Sequence, residues 1–128
     1  MKFTNLLILM TVLVLSSCSR DKRLDDYYHI VDSADKVIIY AKTVDTFSIT
    51  RTIDSLGQLI NMKNILKRHI KPEIQRIFIP TNKIEIYRNG KMQGVLIISG
   101  SNEDPCVNFV SDKFGFGFKL TYGIGMSL

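Results

Sequence analysis

Asn89-Gly90, set between β-prone runs at 84–88 and 92–98, constrains the fold of this chain more than any other feature. Both residues tolerate a positive φ, which a two-residue type I′ turn requires, so the flanking runs are expected to pair as an antiparallel hairpin. Upstream, the apolar β-branched run 37–40 and the even spacing of Phe47, Ile49 and Ile53 predict strands at about 36–42 and 45–53. Between these and the hairpin the period changes. Ser55 and Gln58 have the form of a capping box, and Leu59, Met62, Ile65, Leu66 and Ile70 fall on one arc at 3.6 residues per turn, with Pro72 as the stop.

A short strand is expected at 77–79, halted by Pro80, and another at 106–110 after the polar turn 101–105. From Phe114 onward, Phe114, Phe116, Phe118, Leu120, Tyr122, Ile124, Met126 and Leu128 alternate with small or polar residues, four of them glycine. This is the pattern of a final strand whose apolar face covers the core and whose glycines permit bends or close backbone approach. The same alternation resembles the last strand of outer-membrane β-barrels. Eight strands of about 9 to 11 residues would, however, consume most of the chain and leave no room for the helix, which excludes a monomeric barrel. The predicted order β-β-α-β-β-β-β gives an α+β fold, a single small domain with an antiparallel sheet packed on one amphipathic helix.

The first 18 residues are of another kind. Lys2 supplies a positive start, 6–15 an apolar run, and Leu15-Ser16-Ser17-Cys18 small residues ending in cysteine. The apolar run is too short for a membrane span of about 20 residues and suits a secretory signal. The segment resembles the lipobox of bacterial lipoprotein precursors. That resemblance covers residues 1–18 only and implies cleavage between Ser17 and Cys18, with diacylglycerol on the Cys18 sulfur. It implies a lipid-anchored protein of the bacterial cell envelope, and Ser19 after the cysteine points to the outer membrane, facing the periplasm. The expected organisation is a signal peptide at 1–17, a lipidated cysteine and polar tether at 18–26, and one domain at 27–128.

Removing 17 of the 128 residues leaves 111, and removing Lys2 leaves 16 basic against 12 acidic residues, a mild excess. Size and charge admit one domain and no basic footprint of the kind nucleic acid needs, so no nucleic-acid partner is expected. With Cys18 committed to lipid, Cys106 is the remaining thiol and no internal disulfide can form. It sits in a strand-like run with no base in a motif beside it, which is the setting of an inert, buried cysteine.

His29 with Asp32 and Asp35 is too sparse a set for a metal site, and neither His69 nor any pair of carboxylates has a readable catalytic spacing. No catalytic role, metal or cofactor is therefore expected. Lys63, Lys67 and Lys71 stand at i, i+4, i+8 and predict a basic stripe beside the apolar arc. That stripe, and Gly117 and Gly123 on the glycine-rich face of the last strand, are the expected partner surface. Exposed alternating edges also invite pairing with a second copy or with a partner's strand. The sequence thus points to a non-enzymatic binding or inhibitory module for another envelope protein. A small envelope enzyme, or a lipoprotein binding a small molecule or glycan, is the alternative class.

Overall fold

The computed structural model describes residues 21–68, 70–99 and 106–119. The elements run α1 (Lys22–Asp32), β1 (Lys36–Thr43), β2 (Thr46–Ile53), α2 (Leu56–Lys67), β3 (Pro80–Arg88), β4 (Lys91–Ser99), β5 (Cys106–Val110) and β6 (Gly115–Lys119). Among the described residues, six strands join one antiparallel sheet in the order β2-β1-β3-β4-β5-β6, and helices α1 and α2 pack into its apolar core. The α+β fold expected from the sequence is the one observed. Among the described residues, no helix is long and apolar enough to cross a membrane.

Alternation along the strands sets the two faces of the sheet. Val37 and Ile39 of β1, Ile84 and Ile86 of β3, Leu96 and Ile98 of β4, Val107 and Phe109 of β5, and Phe116 and Phe118 of β6 are buried on the helix face. Leu59, Met62 and Leu66 of α2 meet them, and Ile70, just past the helix, is buried as well. The β3–β4 hairpin turns at Asn89 (φ 54°) and Gly90 (φ 75°), the pair of positive φ values a type I′ turn demands. Gly94, on the helix face of β4, lies under the Phe109 ring: a Cβ there would stand 2.6 Å from two ring carbons.

Helix α1 is not among the expected elements: it begins at Lys22, within the stretch 18–26 that the sequence suggests is a polar tether. Asp21 caps its start by accepting a hydrogen bond from the Arg23 N–H at 2.9 Å, and Leu24, Tyr27, Tyr28 and Val31 recur at i, i+3, i+4, i+7 on its inner side. The charges of 21–26 mask that spacing because they belong to the helix's outer face. Tyr27 is the centre of the core. Its ring meets Phe109 edge-on at 4.8 Å and Phe116 at 5.5 Å, and its hydroxyl donates to the Leu66 carbonyl at 2.7 Å, one of the last four of α2 that lack a helical partner. Burial in this apolar setting pushes the Tyr27 phenol far above its ordinary pKa.

Two local expectations need correction. Ser55 does stand at the N-terminus of α2, but its side chain makes no cap hydrogen bond, so the capping box does not form. Residues 77–79 are not a strand. Ile77 and Ile79 are exposed, and the strand begins only at Pro80, whose missing N–H is tolerated at a strand's first residue.

Candidate functional site

The connection from α2 to β3 takes an unusual route that decides which surfaces are free. After Ile70 the chain reaches the outer edge of β6, where the Glu73 N–H donates to the Gly117 carbonyl at 2.5 Å and the Gly117 N–H donates to the Glu73 carbonyl at 3.0 Å. It then passes onto the face of the sheet opposite the helices. There the Asn108 side chain holds it on both sides, accepting from the Arg76 N–H at 3.3 Å and donating from Nδ2 to the Arg76 carbonyl at 2.7 Å. The segment reaches β3 at Pro80, paired with Ser99 of β4. Residues 71–79 therefore form a strap round the β6 edge.

The glycines of β6 are explained by this strap. Between Phe116 and Phe118, which face the core, Gly117 faces the strap, and a Cβ there would lie 2.8 Å from the Ile74 carbonyl oxygen and 3.1 Å from the Gln75 Cα. Both are backbone atoms, which cannot swing aside. At Gly115 the nearest group is the end of the Gln75 side chain, which can. Gly117 is thus a site of close backbone approach within the chain, and as a free partner surface it is ruled out: it is buried beneath residues 74–76. Gly123 lies outside the described residues.

The basic stripe is also partly used at home. Lys63 donates from Nζ to the Asp32 carbonyl at 2.8 Å, and Lys67 pairs with the Asp32 carboxylate. Two cations thus sit at the C-terminus of α1, where the helix dipole favours them. Lys71 is exposed but belongs to the strap, because α2 ends at Lys67. The three lysines therefore do not form one helical row.

The remaining sequence candidates are dispersed. His29 is exposed on α1, Asp32 is engaged by the two lysines, and Asp35 accepts a hydrogen bond from the Asn89 N–H at 2.8 Å, tying the start of β1 to the hairpin turn. Cys106 is half-buried on the face opposite the helices, so the sheet stands between it and His29. The recess lined by Glu73, Cys106, Asn108 and Gly117 has no room for a water-sized body. His69, Ser17 and Cys18 lie outside the described residues.

Sequence reasoning missed a polar cluster on the same face, over β1 and β3. Tyr40 and Tyr87 both donate to Glu85 Oε1, at 2.6 and 2.9 Å, while Lys83 stands 3.6 Å from Oε2 and 4.3 Å from the Tyr40 ring centre. Burial raises the Glu85 pKa, but the two hydroxyls and Lys83 outweigh it and hold the carboxyl below its ordinary value. The hydrogen bond to Glu85, followed by burial, pushes Tyr40 up to about 12. Alternation at 83, 85 and 87 was the available signal, since Lys, Glu and Tyr on one side of a strand must find partners there. Each group is satisfied within the cluster, which makes it a brace for the sheet.

What remains open is β2. Among the described residues it pairs only with β1, its side chains from Thr46 to Thr52 are exposed except for the half-buried Phe47, and it contains no proline. Arg51 and a bulge opposite Ile39 and Tyr40 are its edge devices. Beyond Ile53 the helix layer does not cover it, so the β1–β2 ribbon projects from the core. At its tip the exposed Val44 holds a φ of 26°, a strained value for a β-branched residue.

No family model, curated protein or solved structure matches the chain.

Proposed function

We propose that this protein is a bacterial envelope lipoprotein, held by lipid on Cys18, that acts as a non-enzymatic binding or inhibitory module for another envelope protein. The occupant of its site is an extended segment of that protein, added as a seventh strand beside β2. The observation that carries this reading is the asymmetry of the sheet. The β6 edge is occupied by the chain's own strap, whereas β2 presents a long exposed edge whose backbone groups can pair with an incoming strand. Phe47 and Ile49, on the face opposite the helices, offer apolar contacts to alternate side chains of the added strand, and Arg51 favours one with an acidic residue. Placement at the outer membrane, facing the periplasm, follows from the lipobox resemblance and Ser19.

The test is site-directed photocrosslinking of the full chain in cells, with the reactive residue at Ile49 on β2 or at Ile60 on α2. One envelope protein crosslinked from Ile49, absent from Ile60, and lost on Thr52→Pro or in the Cys18→Ser form is the expected result. Crosslinks equal at both positions, or unaffected by a proline in β2, would overturn the edge as the binding site. Retention of crosslinking without Cys18 would overturn the anchor's part in it.

A further inference from the structure

Residues 71–79 carry a second surface. Ile74, Ile77 and Ile79 are 88, 106 and 79% exposed, three large aliphatic side chains within six residues and all in solvent. Scattered exposed apolar residues are ordinary, whereas a run of them marks an interaction site. The same stretch, 68–79, carries Arg68, Lys71 and Arg76, all exposed, against the single carboxylate of Glu73, which pairs with Arg76 at 3.7 Å. Apolar side chains rimmed by cations suit an anionic lipid surface, with the isoleucines at the acyl boundary and the cations among the headgroups.

The length of chain before α1 places such a surface nearby. Lys22 is four residue steps from Cys18, and an extended chain covers at most about 3.6 Å per residue, so a lipid on Cys18 holds the first turn of α1 within roughly 14 Å of the leaflet. That turn lies over β6: the Arg23 guanidinium is 6.0 Å from the Phe116 ring centre. The next residue, Gly117, is bridged to Glu73 at the start of the strap. The anchored helix end and the start of the strap therefore both stand at the β6 edge, one on each face of the sheet.

We propose that the strap is a second membrane contact, in which Ile74, Ile77 and Ile79 enter the anionic leaflet that carries the Cys18 anchor. The inference rests on the reading of Cys18 as lipidated. Contact at the strap fixes the orientation of the domain and turns the β2 edge, at the far side of the sheet, toward the aqueous space. Diacylglycerol on Cys18 supplies two acyl chains and a firm anchor by itself, so the strap contact sets orientation rather than attachment.

The test uses the full chain, with Cys106→Ser, purified from a bacterial host and reconstituted into vesicles of phosphatidylcholine with or without phosphatidylglycerol. An environment-sensitive fluorophore is attached at Ile77→Cys or, as reference, at the exposed Val44→Cys. Quenching by spin-labelled lipid at least about threefold stronger at 77 than at 44, dependent on phosphatidylglycerol and weakened by Lys71→Glu with Arg76→Glu, is expected. Equal, water-like signals at both positions would overturn the proposal. Incorporation of a fatty-acid analogue, lost in Cys18→Ser, reports separately on the anchor. If the strap label stays aqueous on acylated protein, the strap contact fails and the anchor stands. If no analogue is incorporated, the anchor reading fails and the placement of the strap against its leaflet falls with it.

Discussion

β2 and β6 are the outer strands of one antiparallel sheet, both rich in small or β-branched residues, yet they are finished in opposite ways. On β6 the chain supplies its own cover: Glu73 bridges Gly117, Asn108 grips the backbone of Arg76, and the absence of a side chain at Gly117 lets two backbones approach. On β2 nothing among the described residues pairs with the outer edge, and the strand is held from one side only. An edge that a chain covers with its own backbone is integrated into stability. An edge left open contributes little to stability and is available for recognition.

Five experiments break or sharpen this contrast. The largest effect is expected from Gly117→Val, which forces a branched side chain against strap backbone. Overpacking of this kind destabilises by about 2 to 4 kcal/mol, read as a shift of the urea midpoint, and Gly57→Ala, with open space around its Cβ position, should be neutral or slightly stabilising. Little change at Gly117 would mean that the strap yields and the β6 edge is not held by close packing. Next comes Asn108→Ala, which removes both hydrogen bonds to Arg76. A loss of about 1 to 2 kcal/mol, with faster proteolysis within residues 71–79, is the expected signature of a released strap.

A smaller effect is expected from Glu85→Gln in the cluster that braces β1, and through it β2, against β3. Because the folded state lowers the Glu85 pKa, its contribution is present above the unfolded value of about 4.3 and lost as pH falls through the lower folded value. Urea unfolding should therefore separate wild type from Glu85→Gln at pH 7, and the gap should close toward pH 3. Tyr40 works in the other direction: with its pKa raised to about 12, its contribution persists below the ordinary phenol value and disappears as pH rises toward that figure. Tyr40→Phe should accordingly weaken the alkaline dependence of stability. The smallest effect on stability is expected from Ile49→Lys on the open edge, within about 0.5 kcal/mol, although crosslinking to a partner there should be lost. A large destabilisation instead would show that β2 is structurally integrated, as β6 is.

How legible the molecule was depended on whether the deciding signal was local. The Asn89-Gly90 turn, the β1–β2 pair and the arc of α2 are each written within about ten residues, and each stands where expected. Helix α1 was hidden because its four charges between Lys22 and Asp26 hide the spacing of Leu24, Tyr27, Tyr28 and Val31. The apparent strand at 77–79 misled for the opposite reason. Its residues have the composition of a buried strand, but the strap delivers Ile77 and Ile79 to solvent. The lysine stripe and Gly117 were legible as patterns, but what they meet is set by residues distant in sequence: Asp32 engages Lys63 and Lys67, and the strap covers Gly117.

The sequence by itself determined the α+β class, the hairpin, the main amphipathic helix and the alternation that puts Phe116 and Phe118 inward, because periodicity and turn chemistry act between near neighbours. Only the tertiary structure decided which edge stays open. That choice rests on contacts between residues some 30 to 45 positions apart, Glu73 with Gly117 and Asn108 with Arg76, and on the space left where Gly117 has no side chain. Such contacts form when chain topology brings segments together, and no local pattern encodes them.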